Sequence, residues 1–181
     1  MAEYIEQYIP VVQQVGLQTK KNIILGGSAN LDLSGTSGFV KGFSSQIISG
    51  QGATATLTTG QSGAICLFDR AAGIIYTLPA PVPGNQFTFL VTVSVTSNNH
   101  KIITDTGTTL LIGQIANAVA AGTNTTFIGN GTTHISLTQN GTTTGGLIGS
   151  WINLICTTTS QWIVDGVTLG SGTVATPFAT T

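Results

Sequence analysis

Residues 86–105, "QFTFLVTVSVTSNNHKIITD", decide the fold class. Phe87, Phe89, Val91, Val93 and Val95 alternate with mostly polar neighbours, a period of two that turns one face of an extended chain to a core and the other outward. The alternation stops at Ser97-Asn98-Asn99, a turn-forming cluster, and a new apolar run starts at His100. Worked outward, the same reading predicts strands at 54–59, 63–68, 73–78, 86–95, 100–104, 109–113, 125–128, 133–138, 150–157 and 161–165. Between them lie Pro83-Gly84-Asn85, Asp105-Thr106-Gly107, Asn130-Gly131 and Asn140-Gly141, where positive φ costs little. Short runs at such regular spacing predict an all-β domain, a β-sandwich or jelly-roll-like fold. Residues 114–121 (QIANAVAA) are the best helix candidate, barely two turns long and equally readable as a strand with Ile115 and Val119 facing different ways. Thr and Gly, poor helix formers, dominate elsewhere. No solenoid period is evident.

The composition narrows the class further. Five basic and six acidic residues make 6% of the 181-residue chain, against about 25% in an ordinary soluble domain. A compact monomer of this mass exposes roughly 8,000 Å² and so carries about one formal charge per 700 Å². Mean hydropathy is +0.36, yet no apolar run reaches the length of about 18 residues that a membrane helix needs. Residues 1–4 (MAEY) lack the basic and apolar regions of a secretory signal. A weakly polar surface of this kind suits coverage by other subunits, since few charges must be desolvated. A net charge of −1 argues against direct nucleic-acid binding, which needs a basic face.

Residues 1–50 differ in texture. They hold Lys20, Lys21 and Lys41, both glutamates, and breaks at Gly26-Gly27-Ser28, Gly35-Thr36-Ser37-Gly38 and Ser49-Gly50. The apolar pieces between those breaks are too short for a core, so this stretch reads as an extended N-terminal arm that finds its contacts on another chain, with the β-sandwich domain at 51–181 ending in an extended tail. Tyr4, Ile5, Tyr8, Ile9, Val11 and Val12 are the candidate arm contacts.

Catalytic chemistry finds little to work with. Any triad must use His100 or His134. Asp105 lies at the opposite end of the strand that His100 begins, about 16 Å away by strand rise, so the two cannot pair along it and His100 reads as a loop-edge histidine. No metal-ligand spacing, phosphate loop, dinucleotide fingerprint or nucleophile elbow is present, and no cofactor or metal is expected. Asp69-Arg70 reads as a turn with a local ion pair. Cys66 and Cys156 sit in apolar segments and read as buried thiols. Trp151 and Trp162 are candidate core or subunit-contact aromatics, with a sugar-binding platform as the sharper alternative. The sequons at Asn124, Asn130 and Asn140 arise easily in so Asn- and Thr-rich a chain.

The segment 57–105, "LTTGQSGAICLFDRAAGIIYTLPAPVPGNQFTFLVTVSVTSNNHKIITD", resembles a pattern in the decoration, or cement, proteins of tailed-bacteriophage heads. Downstream, "GTTHISLTQNGTTTGGLIGSW", "LICTTTSQWIV" and "LGSGTVATPFATT" are similar to the same family, so the likeness covers about residues 55–181. The "TLPAP" and "W-x-V" hairpins recur in other virion proteins, including tail components. The resemblance implies a β-sandwich subunit, homotrimeric on the outer surface of the capsid, that stabilises the head by bridging neighbouring major capsid proteins. Its N-terminal arm, residues 1–50, would then make capsid or inter-subunit contacts. Neither an enzyme nor a membrane protein is expected. Three rivals are a tail, fibre or head-vertex component, a carbohydrate-binding module using Trp151 or Trp162, and a hydrolase resting on His100, His134 and the few carboxylates.

Overall fold

The computed structural model describes residues 44–120 and 122–181. From Ile47 to Ile103 the chain passes back and forth between two sheets. Strands β1 (Ile47–Ile48), β3 (Ile65–Phe68) and β5 (Gln86–Val91) go to one, and β2 (Thr54–Thr56), β4 (Ile75–Thr77) and β6 (His100–Ile103) to the other. Each strand lies parallel to the preceding one in its own sheet. This is a short parallel winding whose coils are unequal: Ile47 opposes Ile65, which opposes Thr88, while Thr54 opposes Ile75, which opposes Lys101. Unequal coils leave no fixed spacing in the sequence, which is why no repeat is legible there.

The rest of the described chain extends both sheets. Strands β7 (Leu110–Val119), β8 (Thr125–Asn130), β10 (Trp151–Thr158) and β11 (Gln161–Gly170) complete a seven-stranded sheet of order β1-β3-β5-β10-β11-β7-β8. Strands β9 (Ser136–Gln139) and β12 (Phe178–Ala179) complete a five-stranded sheet, β12-β9-β6-β4-β2. The expected all-β sandwich is therefore the architecture. Its pairing is mixed, unlike the antiparallel Greek keys of a jelly roll.

The sheets meet through alternate side chains. Cys66, Phe68, Phe87, Phe89, Leu154, Trp162 and Ile115 of the larger sheet face Tyr76, Ile102, Leu137 and Phe178 of the smaller one, all nearly or wholly buried. Tyr76 packs edge-on against Phe68 and Phe89, ring centroids 5.3 and 5.4 Å apart, a favoured aromatic geometry. Its hydroxyl crosses to donate to the Leu67 carbonyl, 2.9 Å away.

Four expectations are revised. The helix candidate at 114–121 is strand as far as Val119, because β11 offers a parallel partner over all ten residues of β7. The 86–95 strand ends at Val91. The strand expected at 161–165 runs on to Gly170, and within the expected C-terminal tail Phe178–Ala179 pairs with β9. Within the stretch assigned to the arm, β1 already pairs with β3, and the compact unit runs Phe43–Thr181. The arm contacts Tyr4, Ile5, Tyr8, Ile9, Val11 and Val12 lie outside the described residues.

Candidate functional site

The residues with chemical potential are scattered, and most are occupied by the fold. His100 is fully buried, not a loop-edge residue. Its ring stacks on Phe68, centroids 4.4 Å apart. The Ile74 N–H donates to Nδ1 at 3.2 Å, which places the ring proton on Nε2, 3.2 Å from the Val93 carbonyl that accepts it. Burial holds its pKa below the ordinary histidine range, opposed in part by the Val93 carbonyl and the Asp69 charge. The other histidine, His134, accepts from the Asn130 N–H at 3.2 Å and stacks on Phe178. Among the described residues no group of three or more His, Cys, Asp or Glu side chains converges as a metal site would require.

Asp69 and Arg70 do not form the expected local pair. Asp69 accepts the Gly50 N–H at 2.6 Å, while Arg70 Nη1 donates to the Gly73 carbonyl at 3.1 Å. Cys66 and Cys156 are both buried and free. Burial pushes the Cys66 thiol up to about 12 and raises that of Cys156, whose Sγ donates to the Thr158 carbonyl, so neither is a ready nucleophile. Trp162 is wholly buried, tilted against Phe87, which removes it as a sugar platform. Asn130 and Asn140 close two similar Asn-Gly-Thr-Thr loops: Oδ1 of Asn130 accepts the N–H groups of Thr132, Thr133 and His134, and that of Asn140 those of Thr142 and Thr144. Both are turn-builders.

What stands out is the outer face of the seven-stranded sheet. Strand register places Ile155 opposite Ile163, and Ile163 opposite Ile112. These side chains are 46%, 43% and 38% exposed. A second row runs Leu67, Leu90, Trp151, Val167, Ala116 across five strands, each half-buried and facing outward. Between the rows lie Thr88, Asn153, Asp165 and Gln114, with Ile47 and Ile65 at one end and Ile128, 62% exposed, at the other. Thr88 and Asn153 bond to each other at 2.9 Å. Asp165 is the single charge in these rows. No family model, no curated protein and no solved structure matches this chain.

The face is therefore read from its own chemistry. Seven strands at about 4.8 Å spacing and three rows of side chains make a face of roughly 30 by 20 Å, on which two apolar rows flank a polar one. Sheets with one solvated face alternate apolar with polar residues, whereas strands covered on both sides are apolar throughout. "WINLIC", "QWIV" and "LLI" lie between the two, with apolar residues at both inward and outward positions but polar Asn153 and Gln161 among the outward ones. Those outward apolar positions are the mark this face leaves in the sequence.

Proposed function

We propose that this protein is a non-enzymatic structural component of a tailed-bacteriophage virion. It decorates the outer surface of the capsid as a homotrimer and holds neighbouring major capsid proteins together. The observation that carries this reading is the outer face of the seven-stranded sheet, where Ile155, Ile163 and Ile112 stand in register beside a row containing Leu90, Trp151 and Val167. Such a face is costly in water at about 25 cal/mol per Å² and gains most when another subunit lies against it. The sparse charge of the chain supports the same reading, because its neighbours displace few hydrated ions. So does the resemblance of residues 55–181 to cement proteins.

The experiment combines mass in solution with decoration. The purified full-length chain runs as a trimer by sedimentation and binds expanded capsids in many copies spread over the head. Removing residues 1–12 leaves a folded trimer that no longer binds, if Tyr4 to Val12 carry the capsid contact. A monomer without affinity for heads would sink the proposal. A few copies confined to a tail or vertex, seen by electron microscopy, would replace it with the tail or vertex reading.

A further inference from the structure

The outer face of the smaller sheet has a different character. It carries a cavity of about 480 Å³, within the range of small-ligand sites, roughly 300–1,000 Å³. The parallel winding builds it. Thr54, Ile75 and Lys101 stand in one row across β2, β4 and β6, and the turns that enter β4 and β6 add Arg70, Gly73, Asn98 and Asn99.

Those turns are tied together. The Thr96 and Ser97 N–H groups both donate to the Ala71 carbonyl, and Asn98 Nδ2 donates to the Ala72 carbonyl at 3.2 Å. At Gly73, with φ +81°, an added Cβ would stand 2.6 Å from the Asn99 carbonyl oxygen. Asn98, at φ 52°, is the one non-glycine residue with positive φ among the described residues. The close approach at Gly73 and the left-handed turn at Asn98 fix the two turns against each other.

Arg70 and Lys101 are the only Lys or Arg side chains among the described residues, and both line this cavity, whose described lining contains no acid; Asp69, next to Arg70 in the chain, accepts the Gly50 N–H instead. Among the described residues Arg70 commits one of its five N–H donors, to Gly73. Lys101 commits none of its ammonium protons to a protein acceptor among the described residues. Two cations sharing one concavity repel each other, and a doubly charged oxyanion between them relieves that repulsion while taking charge-assisted hydrogen bonds. The rest of the polar lining is neutral: the Asn98 and Asn99 amides and the Thr54 hydroxyl suit hydroxyl groups. Among the described residues no aromatic side chain lines the cavity, so nothing described in it favours a flat apolar ligand.

We propose that this cavity binds a small sugar phosphate, its phosphate held by Arg70 and Lys101 and its hydroxyls by Thr54, Asn98 and Asn99. The site lies on the sheet opposite the apolar face and does not depend on the assembly reading. The test is calorimetric titration of the full-length protein at low ionic strength with glucose 6-phosphate, inorganic phosphate and glucose. Glucose 6-phosphate binds, inorganic phosphate binds about tenfold more weakly, and glucose does not bind. Arg70→Gln and Lys101→Gln each weaken glucose 6-phosphate binding by about tenfold or more, whereas Asp105→Asn, in the turn beyond the far end of β6, leaves it unchanged. Thermal unfolding of each variant confirms that the fold persists. Unchanged affinity in both charge variants, or no binding by the native protein, overturns the site. Equal affinity for phosphate and glucose 6-phosphate overturns the sugar assignment.

Discussion

Because the Ile74 N–H points at Nδ1 of His100, protonating the ring would set one donor against another inside the core. An unfolded histidine titrates near 6.5, and the folded one lower. As pH falls below about 6.5, the unfolded chain therefore takes up a proton that the native chain does not, and stability is lost until the folded pKa is reached; above that window the term vanishes. Urea unfolding measured from pH 7.5 down to 5.5 should show this decline, well above the carboxylate range near pH 4. In His100→Gln, which is less stable by about 1–3 kcal/mol at pH 7.5, the decline should disappear. A decline of the same size would acquit His100. Gly73 makes a second prediction at this scale: Gly73→Ala forces a Cβ against the Asn99 carbonyl and should cost about 2 kcal/mol or more by chemical denaturation. The thiols make a third. Buried and raised in pKa, Cys66 and Cys156 should ignore a thiol-specific reagent in the native protein and react fully in guanidinium. Rapid native labelling would contradict that packing.

At the scale of the strand, the outward residues of β10, β11 and β7 separate folding from assembly. Ile163 lies in the middle of its row, between Ile155 and Ile112, and contributes its side chain to the outer face only. Ile163→Lys should change folding stability by no more than about 0.5 kcal/mol, as exposed substitutions do, yet lower the mass in solution and remove capsid binding. Unchanged mass and binding would exclude this face as the interface. β7 also shows how tertiary context overrides a local signal. The Ala-rich stretch at 114–119 has the propensity for a helix, but β11 supplies a ladder along its whole length and Asn117, wholly buried, donates to the Thr143 carbonyl at 2.8 Å. A helix would leave both unmatched. Single-strand periodicity located most of the strands, since alternation of apolar residues is a local property.

At the scale of the whole molecule, the core described by the structure lies within the compact unit Phe43–Thr181. A chain of residues 43–181 should fold alone, with a β-type circular dichroism spectrum and one cooperative unfolding transition; a spectrum of unfolded chain would show that the unit is not self-sufficient. Alternating Phe and Val, frequent Asn-Gly turns and sparse charge were enough by themselves to establish an all-β sandwich with a weakly polar surface, because each reports on its own few residues. The partners of each strand were decided only in three dimensions. Parallel coils of unequal length bring Arg70 and Lys101 to one cavity, and the register of β10, β11 and β7 stacks Ile155, Ile163 and Ile112 in one row. The same register makes His100, expected at a loop edge, a core residue. Which side chains share a face depends on strand order and register across long stretches of chain, and neither leaves a mark in the local pattern.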